Sequence, residues 1–327
     1  MNGGDAPASS LAAFGLSLIT DLRPPGAWQP REFREPSLQI LSATAETIHD
    51  NWSGREAIGW EAVIDGVPFV VERGLDGDYR FVHGAQPDPR GIPLIHTRAI
   101  HHLCADASVL RCAPSDAADP SWWRVVLDSV LFTVALLQGY ETLHAGALAM
   151  PDGVIAITAA TGAGKSTLLA ELLGLGSTLM ADDALVLEVQ GSEPPLAQPA
   201  PPLMTVPAAR LPALNVAQYP EIICSIEDER WIAVPVHPGA LPLRALVVLD
   251  RRAGFHEPGS QVSLQRIERP LAPLLDSLMS FPRIPERQRA RFELASALAS
   301  TIGLWRLSAS LETPPEVLAD TLLESEL

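Results

Sequence analysis

"TAATGAGKSTLL", residues 158–169, is a glycine-rich turn that ends in Gly-Lys-Ser and runs on into apolar residues. Glycine serves any tight turn, so the flanks decide the reading. Before the turn stands "VIAIT" (154–158), a continuous apolar run that predicts a buried strand. After it, "KSTLLAELLGLG" predicts a helix ended by Gly174 or Gly176. Strand, glycine loop and helix together make a phosphate cradle. Backbone N–H groups of Gly162, Ala163, Gly164 and Lys165 can face one oxyanion, and the helix N-terminus adds partial positive charge. In this reading Thr161, Gly162, Ala163, Gly164, Lys165, Ser166 and Thr167 form the nucleotide-binding run. Lys165 reaches the outer phosphates and the Ser166 hydroxyl ligates Mg2+. The usual first glycine of such a loop, six residues before the lysine, is Ala159 here.

Composition narrows the classes of partner. The 327 residues are 47% hydrophobic and 19% charged, enough for a sizeable core in two domains or one large one. A formal net charge of −16 argues against nucleic acid and anionic lipid, and leaves a neutral or basic peptide or small protein as the partner that meets least repulsion. Cys104, Cys112 and Cys224 have no metal-ligand spacing, which fits a reducing compartment. The first positive charge is Arg23, a poor start for a signal peptide, and the run "VVLDSVLFTVALL" (125–137) is broken by Asp128 and too short to span a bilayer. A cytoplasmic protein off the membrane is expected; oligomeric state is not legible.

Of 23 basic residues, Lys165 is the one lysine and the other 22 are arginines. An arginine-favouring composition accounts for the surface but not for the exception. A compact ammonium on a flexible stem enters a phosphate cradle where a planar guanidinium is too wide.

Along the chain, the first hundred residues read mostly as strand. "FGLSLITDL" (14–22) alternates, "GWEAVIDGVPFVVERG" (59–74) makes two strands around Asp65-Gly66, and "DYRFVHG" (78–84) pairs next. Residues 121–140 turn helical. "LHAGALAM" (143–150) predicts one strand, Asp152-Gly153 a hairpin turn, and "STLMADDALVLEVQ" (177–190) strand, turn and strand. The proline-dense stretch 192–212 is expected to run over the surface, as a passive loop or a flap. "LRALVVLD" (243–250) and "LWRLSASL" (304–311) predict strands, with helices between them and a last helix after. The expected division is a β-rich domain over 1–105, shaping substrate access, and a catalytic domain over 106–327.

Two acidic candidates could complete the cradle. Asp250 ends an apolar strand, the pattern of ordinary P-loop ATPases, while Asp182-Asp183 begins 17 residues after Lys165 and is expected to end the strand beside the cradle strand. Two adjacent carboxylates repel unless a cation is supplied, so one can hold Mg2+ while the other takes a proton from an attacking hydroxyl. His144, 21 residues before Lys165, is placed by the turn on a strand paired with the cradle strand. On these residues alone it reads either as a core histidine or as a site residue.

Taken together, "LHAGALAM…VIAITAATGAGKSTLLAELLGLGSTLMADDALVLE" resembles the catalytic segment of HPr kinase/phosphorylases, which carry a His-Gly pair, a loop ending Gly-Lys-Ser and Ala-Asp-Asp at these separations. Here Ala145 stands between His144 and Gly146. The outer pieces are similar to smaller HPr-kinase-like proteins of ribosomal and lasso-peptide tailoring. The resemblance implies an α/β P-loop domain of HPr-kinase-like (phosphoenolpyruvate-carboxykinase-like) fold with a mixed sheet, plus an N-terminal β-rich domain. It implies ATP and Mg2+ as cofactors, transfer to a serine hydroxyl, Lys165 on the phosphates, Ser166 and Asp183 on the metal, Asp182 as base and His144 completing the site. The family's Arg-Gly loop after the acid pair has no counterpart over 190–245, where Arg210 and Arg230 are candidate phosphate or substrate contacts. Alternative readings are a P-loop ATPase that uses Asp250 and a nucleotide-gated peptide-binding module without phosphotransfer.

Overall fold

The computed structural model describes residues 9–26, 28–32, 35–64, 67–84, 98–191, 193–209, 211, 222–226, 229–252, 262–268, 271–279, 287–325 and 327. It falls into two units, Met1–Gln138 with Ser280–Pro285, and Gly139–Met279 with Glu286–Leu327. The division comes after Gln138 rather than after residue 105, because the last strand of the first sheet and the helix that follows it belong to the first unit.

The first unit contains β1 (Ser9–Ala13), β2 (Leu16–Thr20), β3 (Leu38–Ser42), helix α1 (Ala45–Asp50), β4 (Arg55–Ile64), β5 (Val67–Gly74), β6 (Tyr79–His83), β7 (Ala99–Leu103) and β8 (Val109–Pro114). These form one eight-stranded sheet in the order β1-β2-β3-β8-β7-β6-β5-β4. The β2–β3 and β3–β8 pairs are parallel and the rest antiparallel, so the sheet is mixed. Strands β4 and β5 pair as the Asp65-Gly66 reading requires, although that turn lies outside the described residues.

The helical stretch is α2 (Trp122–Val125), a π turn (Val126–Val130) and α3 (Leu131–Leu137), and nearly every residue in it is buried. The π turn is marked by the Leu131 amide donating to the Val126 carbonyl, five residues back. Trp122 stacks on His101 of β7, with ring centroids 5.9 Å apart.

The second unit holds the glycine-rich loop. Its elements are β9 (Glu141–His144), β10 (Gly146–Met150), β11 (Gly153–Ala159), α4 (Lys165–Gly174), β12 (Thr178–Ala181), β13 (Ala184–Glu188), β14 (Leu196–Gln198), β15 (Leu203–Pro207), β16 (Ile222–Ile226), β17 (Glu229–Ala233), β18 (Leu241–Arg252), β19 (Val262–Arg266), α5 (Leu271–Ser277), α6 (Gln288–Thr301), β20 (Gly303–Ser310) and α7 (Pro315–Leu323). The main path runs β12-β10-β11-β18-β14-β13-β9, with β20 and β19 added beside β18. Strand β18 is parallel to both β11 and β20, while the remaining pairs are antiparallel, so this sheet too is mixed. Strands β15, β17 and β16 make a separate three-stranded sheet.

Helix α4 forms where the pattern places it. Leu168, Leu169, Leu172 and Leu173 are all buried, in a core with Ile157, Val247, Leu249, Leu307, Leu318 and Leu322. Each such leucine contributes about 1.5–3 kcal/mol of burial, which fixes the helix on the sheet. The helix ends as the Gly176 amide donates to Leu173 and the Ser177 amide to Leu172, the 5→2 and 6→1 bonds of a Schellman end.

Three expectations are corrected. Residues 143–150 are two strands rather than one: β9 pairs with β13, β10 pairs with β11 and β12, and the break falls at Ala145. The tight turn between β10 and β11 is Pro151-Asp152, with Gly153 already paired to Met150. The proline-dense stretch is not a surface excursion. It supplies β14, bonded between β13 and β18, and β15, with Ala197, Met204 and Val206 essentially without solvent exposure. Prolines 195, 199 and 202 stand just outside these short strands, where no ladder N–H is needed of them.

Candidate active site

The site is built at two chain breaks that lie side by side. Strand β9 gives way to β10 at Ala145, and β12 gives way to β13 at Asp182-Asp183. Since β10 pairs with β12 while β9 pairs with β13, the two breaks occur at the same level. The Ala145 amide donates to the Asp183 carbonyl at 3.0 Å and locks them together. His144 faces Ala184 in the β9–β13 register, so it does not sit on a strand paired with β11 as expected. It is tied to the cradle strand differently, by the Thr158 hydroxyl donating to the His144 carbonyl at 2.9 Å. Nor does the acid pair end a neighbour of β11, since β10 lies between β11 and β12.

Gly146 shows why the second break is compact. A Cβ there would meet Leu169 Cδ1 at 2.1 Å and the Asp182 carbonyl oxygen at 2.6 Å. Helix α4 and the acid turn therefore both close on the same glycine.

From the start of α4, Lys165 reaches into this corner. Its Nζ donates to the Asp182 carbonyl at 2.9 Å and to Asp183 Oδ1 at 2.6 Å. The Lys165 side chain is 10% exposed, whereas the Asp183 side chain is 59% exposed. His144 Nδ1 lies 3.6 Å from Asp183 Oδ2, too far for a hydrogen bond but an ion pair when the imidazole is protonated. Lys165, Asp183 and His144 are thus brought together with the carboxylate open to solvent.

Asp182 faces the other way. Its Oδ2 accepts the Thr205 amide at 2.8 Å, which ties β15 to the acid turn. Its Oδ1 is enclosed and has no hydrogen-bond partner among the described residues. Burial pushes its pKa up to about 6, opposed by Lys165 and helped by Asp183. An enclosed oxygen cannot meet a substrate hydroxyl, so the two neighbouring acids are not interchangeable.

The glycine loop before α4 turns through two left-handed residues. Gly164, just before α4, has φ +94° and Gly162 φ +81°, left-handed values that strain any side chain. Ala163 donates its amide to the Ala160 carbonyl at 3.0 Å, closing the turn, while the amides of Gly162, Gly164 and Lys165 have no protein acceptor among the described residues. Thr161 is exposed and Ser166 and Thr167 are half-buried at the head of the helix. For magnesium, the Ser166 hydroxyl and the exposed Asp183 carboxylate are hard oxygen donors of the kind it takes, while the enclosed Asp182 Oδ1 is out of reach of an entering ion. No three His, Cys, Asp or Glu side chains among the described residues are grouped to hold a metal by themselves. That donor set fits an ion that keeps water and shares phosphate oxygens.

Asp250 lies near the end of β18, one residue beyond the Ala159–Leu249 register pair. Both of its oxygens are engaged by the Arg252 guanidinium, through Nε at 2.8 Å and through Nη2. Arg210 lies outside the described residues, and Arg230 sits in β17 donating to the Glu229 carbonyl. The residue that sequence reasoning missed is Arg251, whose Nη1 would lie 3.0 Å from a Cβ on Gly164. The arginine pair after "VVLD" was the available signal, but nothing local distinguishes it from surface arginines.

No family model matches this chain. No curated protein matches it either. Among solved structures it is similar to the HPr(Ser) kinase/phosphatase from Coxiella burnetii, at 16% identity, over 56% of this chain and 94% of that one, with a TM-score of 0.32. A likeness of that size leaves function to be judged on the geometry of the site. No helix among the described residues is long and apolar enough to cross a membrane.

Proposed function

We propose that this chain is an ATP-dependent kinase that transfers the γ-phosphate to a serine hydroxyl of a peptide or small protein, such as a ribosomally made precursor peptide of the lasso type. The observation that carries the reading is the convergence of Lys165, Asp183 and His144 at the mouth of the glycine loop. In that group a nearly buried lysine holds an acid that stays 59% exposed, with an imidazole beside it.

In this reading the amides of Gly162, Gly164 and Lys165 receive phosphate oxygens, and Lys165 exchanges its carboxylate for the phosphate chain. Asp183, rather than Asp182, faces the nucleophile. The serine oxygen forms its bond to the γ-phosphorus as the bond to the β–γ bridging oxygen breaks, the hydroxyl proton passes to Asp183, and ADP leaves. His144 positions the Asp183 carboxylate. Ser166 would hold magnesium, which when bound neutralises charge on the transferring phosphoryl group. Asp182, tied to Thr205, holds the turn that aims Asp183. The net charge of −16 favours a neutral or basic peptide.

The test is phosphate transfer from labelled ATP to candidate serine peptides. Transfer that Asp183→Asn abolishes and Asp182→Asn only weakens supports the assignment. Transfer indifferent to Asp183→Asn removes it.

A further inference from the structure

Lys165 is held at two points of different character. Its Nζ donates inward to the Asp182 main-chain carbonyl at 2.9 Å and outward to Asp183 Oδ1 at 2.6 Å. The inward acceptor is packed against Gly146, where an added Cβ would come within 2.6 Å of it. The outward acceptor belongs to a side chain at the rim, 59% exposed against 10% for the lysine. Lys165 is also the first residue of α4, directly after Gly164, so an anion held on the loop amides comes within reach of the same ammonium on its flexible stem.

On the kinase reading above, we propose that the Lys165–Asp183 pair is a latch that nucleotide opens. In the empty site the ammonium occupies Asp183. The phosphate chain draws it away, and only then does the acid become open to an acceptor hydroxyl. A neutral hydroxyl is a poor competitor for that carboxylate, since a charge-assisted hydrogen bond is about twice as strong as a neutral one. A phosphate chain competes well, because it brings several negative charges to the ammonium where Asp183 offers a single one. His144 Nδ1 lies 3.6 Å from Asp183 Oδ2, so the acid keeps a neighbour on its other oxygen when the lysine goes. The consequence is a compulsory order, nucleotide before acceptor. The competing role is a fixed strut, in which Lys165 stays on Asp183 throughout and the loop amides alone hold the phosphates.

Lys165 is the one lysine of the chain, so isotope-labelled lysine gives a single side-chain signal in a nuclear magnetic resonance spectrum. Full-length wild type and Asp183→Asn are compared empty, with adenosine, and with the magnesium complex of AMP-PNP, an ATP analogue that does not transfer. Calorimetry checks binding. The two empty proteins are expected to differ at Lys165, adenosine to leave that difference in place, and AMP-PNP to cut it by more than half. A difference that AMP-PNP leaves larger than that, or empty proteins that do not differ, overturns the latch while the nucleotide reading stands. A wild type that binds no AMP-PNP brings down both. Should Asp183→Asn fail to fold, carbodiimide coupling of wild type decides, mapped by mass spectrometry. A Lys165–Asp183 cross-link that AMP-PNP suppresses and adenosine does not supports the latch, and one indifferent to AMP-PNP overturns it. The order is read by isotope trapping with the serine peptide that accepts label in the transfer assay. Peptide loaded before nucleotide is expected to escape into an unlabelled peptide chase without being phosphorylated, whereas preloaded ATP is trapped as product. Equal trapping of both overturns the gating.

Discussion

Lys165 and Asp183 form an ion pair of 2.6 Å between an ammonium that is almost enclosed and a carboxylate that is mostly open. The pair is asymmetric in what it can do next. On the kinase reading, the lysine exchanges the acid for phosphate and the acid then meets an incoming hydroxyl. Removing either partner is expected to act on the chemical step. Asp183→Asn should lower transfer about 100-fold or more, as loss of a general base does, with nucleotide affinity largely kept. Lys165→Met should lose both affinity and rate, which separate turnover and binding measurements will tell apart.

Asp250 offers the cleanest discrimination from an ordinary ATPase. Its carboxylate is already engaged by Arg252, so Asp250→Asn is expected to leave peptide phosphorylation within about threefold of wild type, under one tenfold step of barrier. Loss of all turnover in that variant would transfer the metal role to Asp250.

Gly146→Ala should damage the site without touching a reacting group. The added methyl would drive into Leu169 and the Asp182 carbonyl, at a cost of about 1–3 kcal/mol for overpacking. Because the same carbonyl accepts from Lys165, activity should fall further than stability predicts. Comparing the urea midpoint with the transfer rate checks this.

Asp182 gives a pH dependence with a definite sign. Its folded pKa of about 6 lies above the ordinary 3.8, so between these values the folded chain keeps a proton that the unfolded chain has released. Its contribution to stability is therefore full at low pH and declines as pH rises through 6, by up to about 3 kcal/mol. Asp182→Asn should remove that decline, so the variant gains on wild type in urea unfolding between about pH 4.5 and pH 7.5.

His101 in the first unit works in the opposite direction. Burial, aided by the charge of His83, lowers its pKa from 6.5 to about 3. The unfolded chain takes up a proton that the folded one refuses, so stability is lost as pH falls below 6.5, by about 2 kcal/mol near pH 5. His101→Phe keeps a ring to stack on Trp122 and should blunt the acid sensitivity, read by guanidinium unfolding followed through tryptophan fluorescence.

Local pattern carried the strand, the glycine turn and the helix. "VIAIT", the glycine loop and the leucine stripe of α4 specify strand, turn and helix through nearest neighbours alone, and all three stand where the residues place them. The break at Ala145 could not be seen that way. "LHAGALAM" is apolar throughout, and what divides it is a hydrogen bond to Asp183, nearly forty residues on. The same holds for the acids: adjacent in sequence, they are separated by a turn that sends Asp182 to Thr205 and Asp183 to Lys165. The prolines of 192–212 suggested a strand-free path because they cannot donate, yet Pro195, Pro199 and Pro202 bracket two short strands and Pro207 takes the last position of β15. Arg251 has meaning only through Gly164, a contact between separate elements.

With a single lysine in the sequence, and that one held by the Asp183 carboxylate and the Asp182 carbonyl, amine-directed chemistry has one side-chain address in this molecule. On the nucleotide reading, an acylating group carried on a nucleotide is expected to reach it, at a side chain only 10% exposed. The covalent record of who enters the site can therefore be read from one tryptic position.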